Sequence, residues 1–132
     1  MRICIPAILL GFCSAMSVQA ADFTSYTGAE LYQRFCAACH GAGGEGDGPV
    51  AAYFKITVPD LSQIAKRQGS FPAEQIHRII DGRLVKPPHG SREMPVWGYE
   101  FSLVNPDGTP DLATGDQLIA RLVEYLRSIQ KP

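Results

Sequence analysis

Cys36-Ala37-Ala38-Cys39-His40 is the stretch of this sequence whose residue types and spacing can do chemistry. Two cysteines three apart at the end of a helix point to one side, so their thiols can add to the two vinyl groups of a porphyrin. The adjacent histidine then lies under the ring and presents an imidazole nitrogen to the iron. C-x-x-C-H is the signature of covalent haem attachment. Two other readings compete. A thioredoxin-like redox pair should open a helix after a strand, whereas here a helix leads into the motif; a zinc site needs two more ligands, and beyond the amino-terminal leader there is no second cysteine pair.

With haem attached, the group on the other side of the iron decides between an electron carrier and a ligand-binding or catalytic haem. Met94, in Arg92-Glu93-Met94-Pro95-Val96-Trp97-Gly98, stands 54 residues after His40 and is the one methionine beyond the leader. A thioether is a weak, neutral, soft ligand that favours ferrous iron, so His40/Met94 ligation raises the reduction potential and suits a one-electron shuttle. The bland use of Met94 is to fill a gap in the core. His89, five residues earlier in a glycine- and proline-flanked loop, is the rival ligand and would lower the potential; Lys86 is a remoter candidate. His77 falls in a helix with Ile76, Ile79 and Ile80 and reads as an edge residue. Six-coordinate iron has no open position, so the expectation is an electron-transfer protein and not an enzyme, either free or as a subunit of an oxidoreductase or respiratory chain. The alternative is a haem-based ligand-binding or catalytic protein with a displaceable sixth ligand.

The elements that must position these residues are helical. Thr27-Gly28-Ala29-Glu30 is a capping box, after which Leu31, Tyr32 and Phe35 mark an apolar face leading to Cys36. Thr114-Gly115-Asp116-Gln117 reads as a second capping box, opening an amphipathic helix with Leu118, Leu122, Leu126 and Ile129, flanked by Ile119, Val123 and Tyr125. Between them, one short helix spans about 60–68 and is closed by Gly69; another is opened by Pro72 and closed by Gly82. No segment alternates as a strand does, so the chain reads as a small all-α domain. Its loops are long: residues 41–58 hold five of the 13 glycines and residues 83–113 five of the 10 prolines. Loops of that length carry function or wrap something. Gly41-Ala42-Gly43-Gly44-Glu45-Gly46 fits G-x-G-x-x-G, but it follows a helix and not a strand, which excludes a dinucleotide site. Its glycines suit a chain that turns sharply behind His40 and passes close to a flat ligand.

Length and composition set the frame. The 132 residues carry a formal charge of −1, are 45 % hydrophobic, and describe one compact domain at most. Without a basic block, nucleic acid is excluded as a partner. Residues 1–20 read as a cleaved signal peptide: Arg2 gives the positive start, Ile3 to Phe12 an apolar run, and Val18-Gln19-Ala20 the cleavage site. That run falls short of the ~20 residues a spanning helix needs, so no stable membrane insertion is expected. Removal takes Cys4 and Cys13 with it and leaves a domain of residues 21–132, with a core at about 27–129 and a periplasmic location.

Gly28 to His40, the glycine-rich stretch ending in Gly48-Pro49, Ile80-Asp81-Gly82-Arg83 and Met94-Pro95-Val96-Trp97-Gly98 together resemble the class I c-type cytochromes of bacteria. The resemblance implies a cytochrome c fold: first and last helices crossing near the haem, a few helices and long loops enclosing it, and one haem edge exposed. It implies one covalent haem c on Cys36 and Cys39, with His40 and Met94 as axial iron ligands. Pro49 matches the proline whose carbonyl accepts the N–H of the ligating histidine, and Arg83 and Trp97 are expected at the haem propionates. Gly28 is expected to let the first helix cross close to Leu122–Leu126, with Tyr32 and Phe35 nearby. The implied partners are redox proteins, a dehydrogenase donor and an oxidase or reductase acceptor, docking at the exposed haem edge.

Overall fold

The computed structural model describes residues 23–84, 94–104 and 108–132; the leader of residues 1–20, Lys86 and His89 lie outside them. Its helices are α1 (Gly28–Phe35), α2 (Ala37–His40), α3 (Ile64–Gln68), α4 (Ala73–Ile80), α5 (Trp97–Glu100) and α6 (Leu112–Ser128). Single 3-10 turns occupy Ala51–Tyr53 and Leu61–Gln63. The fold is all-α, as expected; among the described residues the extended pairing is confined to a two-residue antiparallel ladder, β1 (Leu103–Val104) with β2 (Pro110–Asp111).

α6 is the scaffold. Its 17 residues span about 25 Å at 1.5 Å per residue, and α1, α4 and α5 all pack on it. The predicted apolar face is the buried one: Leu118, Ile119, Leu122, Val123 and Leu126 are each at most 4 % exposed. Leu31 and Tyr32 of α1, Ile76 and Ile80 of α4, Ile64 of α3 and Phe101 complete the core. Gly28 is what lets α1 and α6 meet. A Cβ there would run into the carbonyl oxygen of Arg121 and stand 3.0 Å from Tyr125 Cβ. Arg121 closes the crossing from its own side, donating from Nη1 to the carbonyls of Thr24 (2.6 Å) and Tyr26 (2.9 Å) that lead into α1.

Local chemistry sets the helix ends. Thr27 Oγ1 accepts from Glu30 N–H (3.2 Å) while the Glu30 carboxylate accepts from Thr27 N–H (2.8 Å), so the first capping box forms as read. Gly69 and Gly82 end α3 and α4 with positive φ of 76° and 84°. The start of α6 differs from the expectation. Asp111 is the cap, accepting from Thr114 N–H at 3.1 Å, and Thr114 lies inside the first turn with its hydroxyl donating to the same carboxylate. Leu112 and Ala113 tolerate helix, so α6 runs upstream to the aspartate that the β1–β2 pairing places before it.

Candidate haem site

α1 delivers the chain to Cys36, whose N–H closes the helix on Tyr32 O at 2.9 Å. α2 then makes one turn, with Cys39 N–H and His40 N–H both donating to Cys36 O (3.1 and 2.9 Å). The two cysteines thus stand one helical turn apart on the same side, both half-buried and both free thiols. Burial, and next the charge of Cys39, push the Cys36 thiol up to about 12. That argues against a dithiol redox pair, whose attacking cysteine must be a thiolate near neutral pH.

The glycine-rich loop folds straight back over this turn. The carbonyl of Ala37 takes the N–H of Gly41 (2.9 Å), that of Ala38 takes Val50 (3.0 Å), that of Cys39 takes Gly48 (3.2 Å), and that of His40 takes Gly46 (2.8 Å). Gly41 O receives Gly44 N–H (3.2 Å) and the buried Tyr32 hydroxyl (2.7 Å). Every carbonyl that the end of a helix leaves open is therefore filled by backbone or by one phenol. Gly48 is required by contact: a Cβ there would sit 2.6 Å from both the carbonyl carbon and oxygen of Cys39. The glycines do turn the chain sharply behind His40: Gly41, Gly44 and Gly46 have positive φ, and at Gly46 and Gly48 backbone packs on backbone.

His40 is half-buried, and its Nδ1 lies 3.1 Å from the carbonyl oxygen of Pro59. A carbonyl can only accept, so Nδ1 carries the proton and Nε2 keeps its lone pair. Burial lowers the imidazole pKa below its ordinary value, outweighing the Pro59 bond that acts the other way, and so favours a neutral ring able to ligate a metal. The carbonyl is not that of Pro49. Pro49 is exposed and lies between Gly48 and Val50, whose N–H groups are bound to the motif's carbonyls, so this part of the loop covers the backbone side of the turn. The chain reaches the imidazole only ten residues later, at Pro59.

Met94 and Trp97 are half-buried and pack on the edge of the same core as Phe35, Cys36 and Ala37. The segment from Met94 to Gly98 lies against the end of α4: a Cβ on Gly82 would collide with the Val96 side chain, and one on Gly98 would stand 2.8 Å from Asp81 O. Trp97 stacks on Phe101 (centroids 5.6 Å, planes 18° apart), and both meet Phe35 at 5.4 and 5.1 Å. Phe23 extends the cluster, 5.0 Å from Phe35 and edge-on to it. Sequence reading missed Phe23, which lies upstream of the expected core and carries no local pattern.

Arg83 is paired with carboxylates of its own neighbourhood. Its Nε pairs with Asp81 Oδ2, its N–H donates to Asp81 Oδ1 at 2.7 Å, and Nη2 is 4.0 Å from Asp116. His77 is engaged in the same cluster, with Nε2 3.2 Å from Asp116 and Nδ1 3.7 Å from Asp81. An open groove of about 730 Å³ lies elsewhere, over the α1–α6 crossing, and none of its lining residues belongs to the C-x-x-C-H turn.

Thiols one helical turn apart, beside a neutral imidazole with a free Nε2, fit covalent haem c. A helical domain organised around such a turn defines a haem-attaching class. A family model described as cytochrome c matches residues 25–130, and the chain belongs to the cytochrome c family. No curated protein and no solved structure matches at a significant level. Family membership brings covalently bound haem with iron, and electron transfer as its use. No helix among the described residues is long and apolar enough to cross a membrane.

Proposed function

We propose that this chain is an exported, periplasmic electron carrier, or the cytochrome subunit of an oxidoreductase or respiratory chain, holding one haem c between His40 and Met94. The observation that carries the reading is the His40 Nδ1–H bond to Pro59 O, which leaves Nε2 as the free donor beside two free thiols. Bound haem supplies a metal that gains and loses one electron.

The protein's own part is to hold geometry. Cys36 and Cys39 anchor the macrocycle, and the hydrogen-bonded turn beneath them keeps His40 in one orientation. Met94 would supply a soft thioether from the segment that runs into the Trp97, Phe101 and Phe35 cluster. Apolar surroundings exclude water and keep the site nearly unchanged between oxidation states, so each transfer needs little reorganisation. Residues 1–20 act as the export signal, and a dehydrogenase donor and an oxidase or reductase acceptor dock transiently where the haem edge is exposed. Trp97 and Arg83 would meet the haem propionates in this reading.

The test is spectroscopic. Ferric protein should show the far-red band of methionine–iron coordination, and Met94→Ala should abolish it while the haem stays covalently attached. Persistence of the band in that variant, or rapid carbon monoxide binding by the reduced native protein, overturns the ligand assignment.

A further inference from the structure

Proline lacks an N–H, so no hydrogen bond donated by residue 59 holds the Pro59 carbonyl; it packs beside Gly46, where a Cβ would stand 3.3 Å from the Pro59 carbonyl carbon, and leads directly into residues 60–65. These residues form a discontinuous helix. Asp60 is extended (φ −70°, ψ 107°), a single 3-10 turn covers Leu61–Gln63, and Gln63 leaves helical geometry (φ −113°, ψ 13°) before α3 begins. Leu61 C=O and Ala65 N–H are the pair a continuous helix would join. Both are reached by one side-chain amide: Gln130 Nε2 donates to Leu61 O at 2.8 Å, and Gln130 Oε1 accepts from Ala65 N–H at 2.9 Å.

The same Nε2 donates to Leu126 O at 2.7 Å, which ties the bridge to the end of α6. The next residue adds a second tie, Lys131 N–H to Ser62 O at 2.8 Å. On the other side, Leu61 N–H and Ser62 N–H both donate to Gly44 O (2.5 and 3.3 Å), within the loop that covers the haem-attachment turn.

From this arrangement we infer that Gln130 is a positioning residue for the axial histidine: it straps the 59–65 segment to α6 and so fixes the Pro59 carbonyl against His40 Nδ1. The inference rests on haem ligation by His40. A firm Nδ1–H···O=C bond strengthens imidazole as a donor and stabilises ferric iron, so loosening the strap raises the reduction potential. Gln130 acts through Leu61, Ala65 and Pro59 and touches neither iron nor ring.

The test uses the full haem-loaded chain with Gln130→Met, which keeps length and removes both hydrogen-bonding atoms, and Gln130→Glu, which keeps the acceptor for Ala65 and loses the donor to Leu61. Thr27→Ala, at the remote cap of α1, serves as the destabilised control. At a fixed electrode potential, Gln130→Met should raise the ferrous-to-ferric ratio by about three- to tenfold, tenfold being about 59 mV for a one-electron couple. Gln130→Glu sets a carboxylate oxygen against the Leu61 and Leu126 carbonyls and should also raise it. Solvent exchange of the His40 Nδ1 proton, followed by NMR in the ferrous protein, should quicken in both variants. An unchanged potential and unchanged exchange in both variants overturn the inference, as does an equal shift in Thr27→Ala, which would mark general loosening. If Gln130→Met does not accumulate, Gln130→Glu carries the same comparison. A native protein without a covalent haem spectrum is a separate failure, that of haem ligation itself.

Discussion

The two sides of the candidate site are held by different forces. On the histidine side, residues 36–62 are fixed by directional bonds: carbonyls of α2 filled one by one from the glycine loop, a phenol on Gly41 O, and a carbonyl on the imidazole. On the methionine side, residues 94–101 are fixed by apolar contact, with Trp97 stacked on Phe101, both packed against Phe35, and Val96 pressed on Gly82. Hydrogen bonds fail by geometry, and packing fails by volume. The first side should therefore be intolerant of one added methyl and the second of lost bulk.

Phe101→Ala should have the largest effect. Phe101 is 1 % exposed and central to the aromatic cluster, so its truncation should cost about 3–5 kcal/mol. Amide exchange should accelerate at residues 97–104 well before it does at Gly46, Gly48 and Val50. Equal acceleration on both sides would show that the two regions are one cooperative unit.

Gly48→Ala comes next. The added Cβ meets the rigid Cys39 carbonyl and should cost about 1–3 kcal/mol, read as a lower midpoint in denaturant. Its exchange pattern should be the mirror image, with the 38–50 amides loosened and the aromatic side unchanged.

The smallest effect is that of acid. Hydrogen bonds from Ser62 hold the Asp60 carboxyl below its ordinary pKa, those from Thr114 do so for Asp111, and those from Thr27 for Glu30. A carboxyl whose folded pKa is depressed adds stability above its unfolded pKa and loses it as pH falls through the lower folded value. Denaturant midpoints should thus decline from about pH 5 toward pH 2, and Asp111→Asn should flatten that slope. Asp60 belongs to the histidine side, so Asp60→Asn should flatten it there, read at the Leu61 and Ser62 amides.

What could be read from the sequence was what is decided within a few residues. The Thr27–Glu30 box, the stops at Gly69 and Gly82, and the buried face of α6 are local or periodic, and C-x-x-C-H encodes its own geometry in one helical turn. Choices between similar residues were not legible. Pro59 and not Pro49 meets His40, because backbone bonds commit residues 46–50 to the other side of the turn. Asp111 and not Thr114 caps α6, because a two-residue ladder fixes where the chain enters it. The pairing of Arg83 with Asp81, two residues back, carried no sequence signal. Gln130 carried no signal as a strap, since Leu61 and Ala65 are 69 and 65 positions away.

The order of elements along the chain has a kinetic meaning. α6 is the surface on which α1, α4 and α5 are buried, yet it comes last among them. A polypeptide emerging amino end first presents Cys36, Cys39 and His40 while their eventual support is still missing, and contacts so distant in sequence form slowly. Until Leu118 to Leu126 arrive, the attachment turn has its glycine-loop bonds but not the surface on which α1 is buried. That interval is the time in which a large, flat, hydrophobic group can be placed before the domain closes over it.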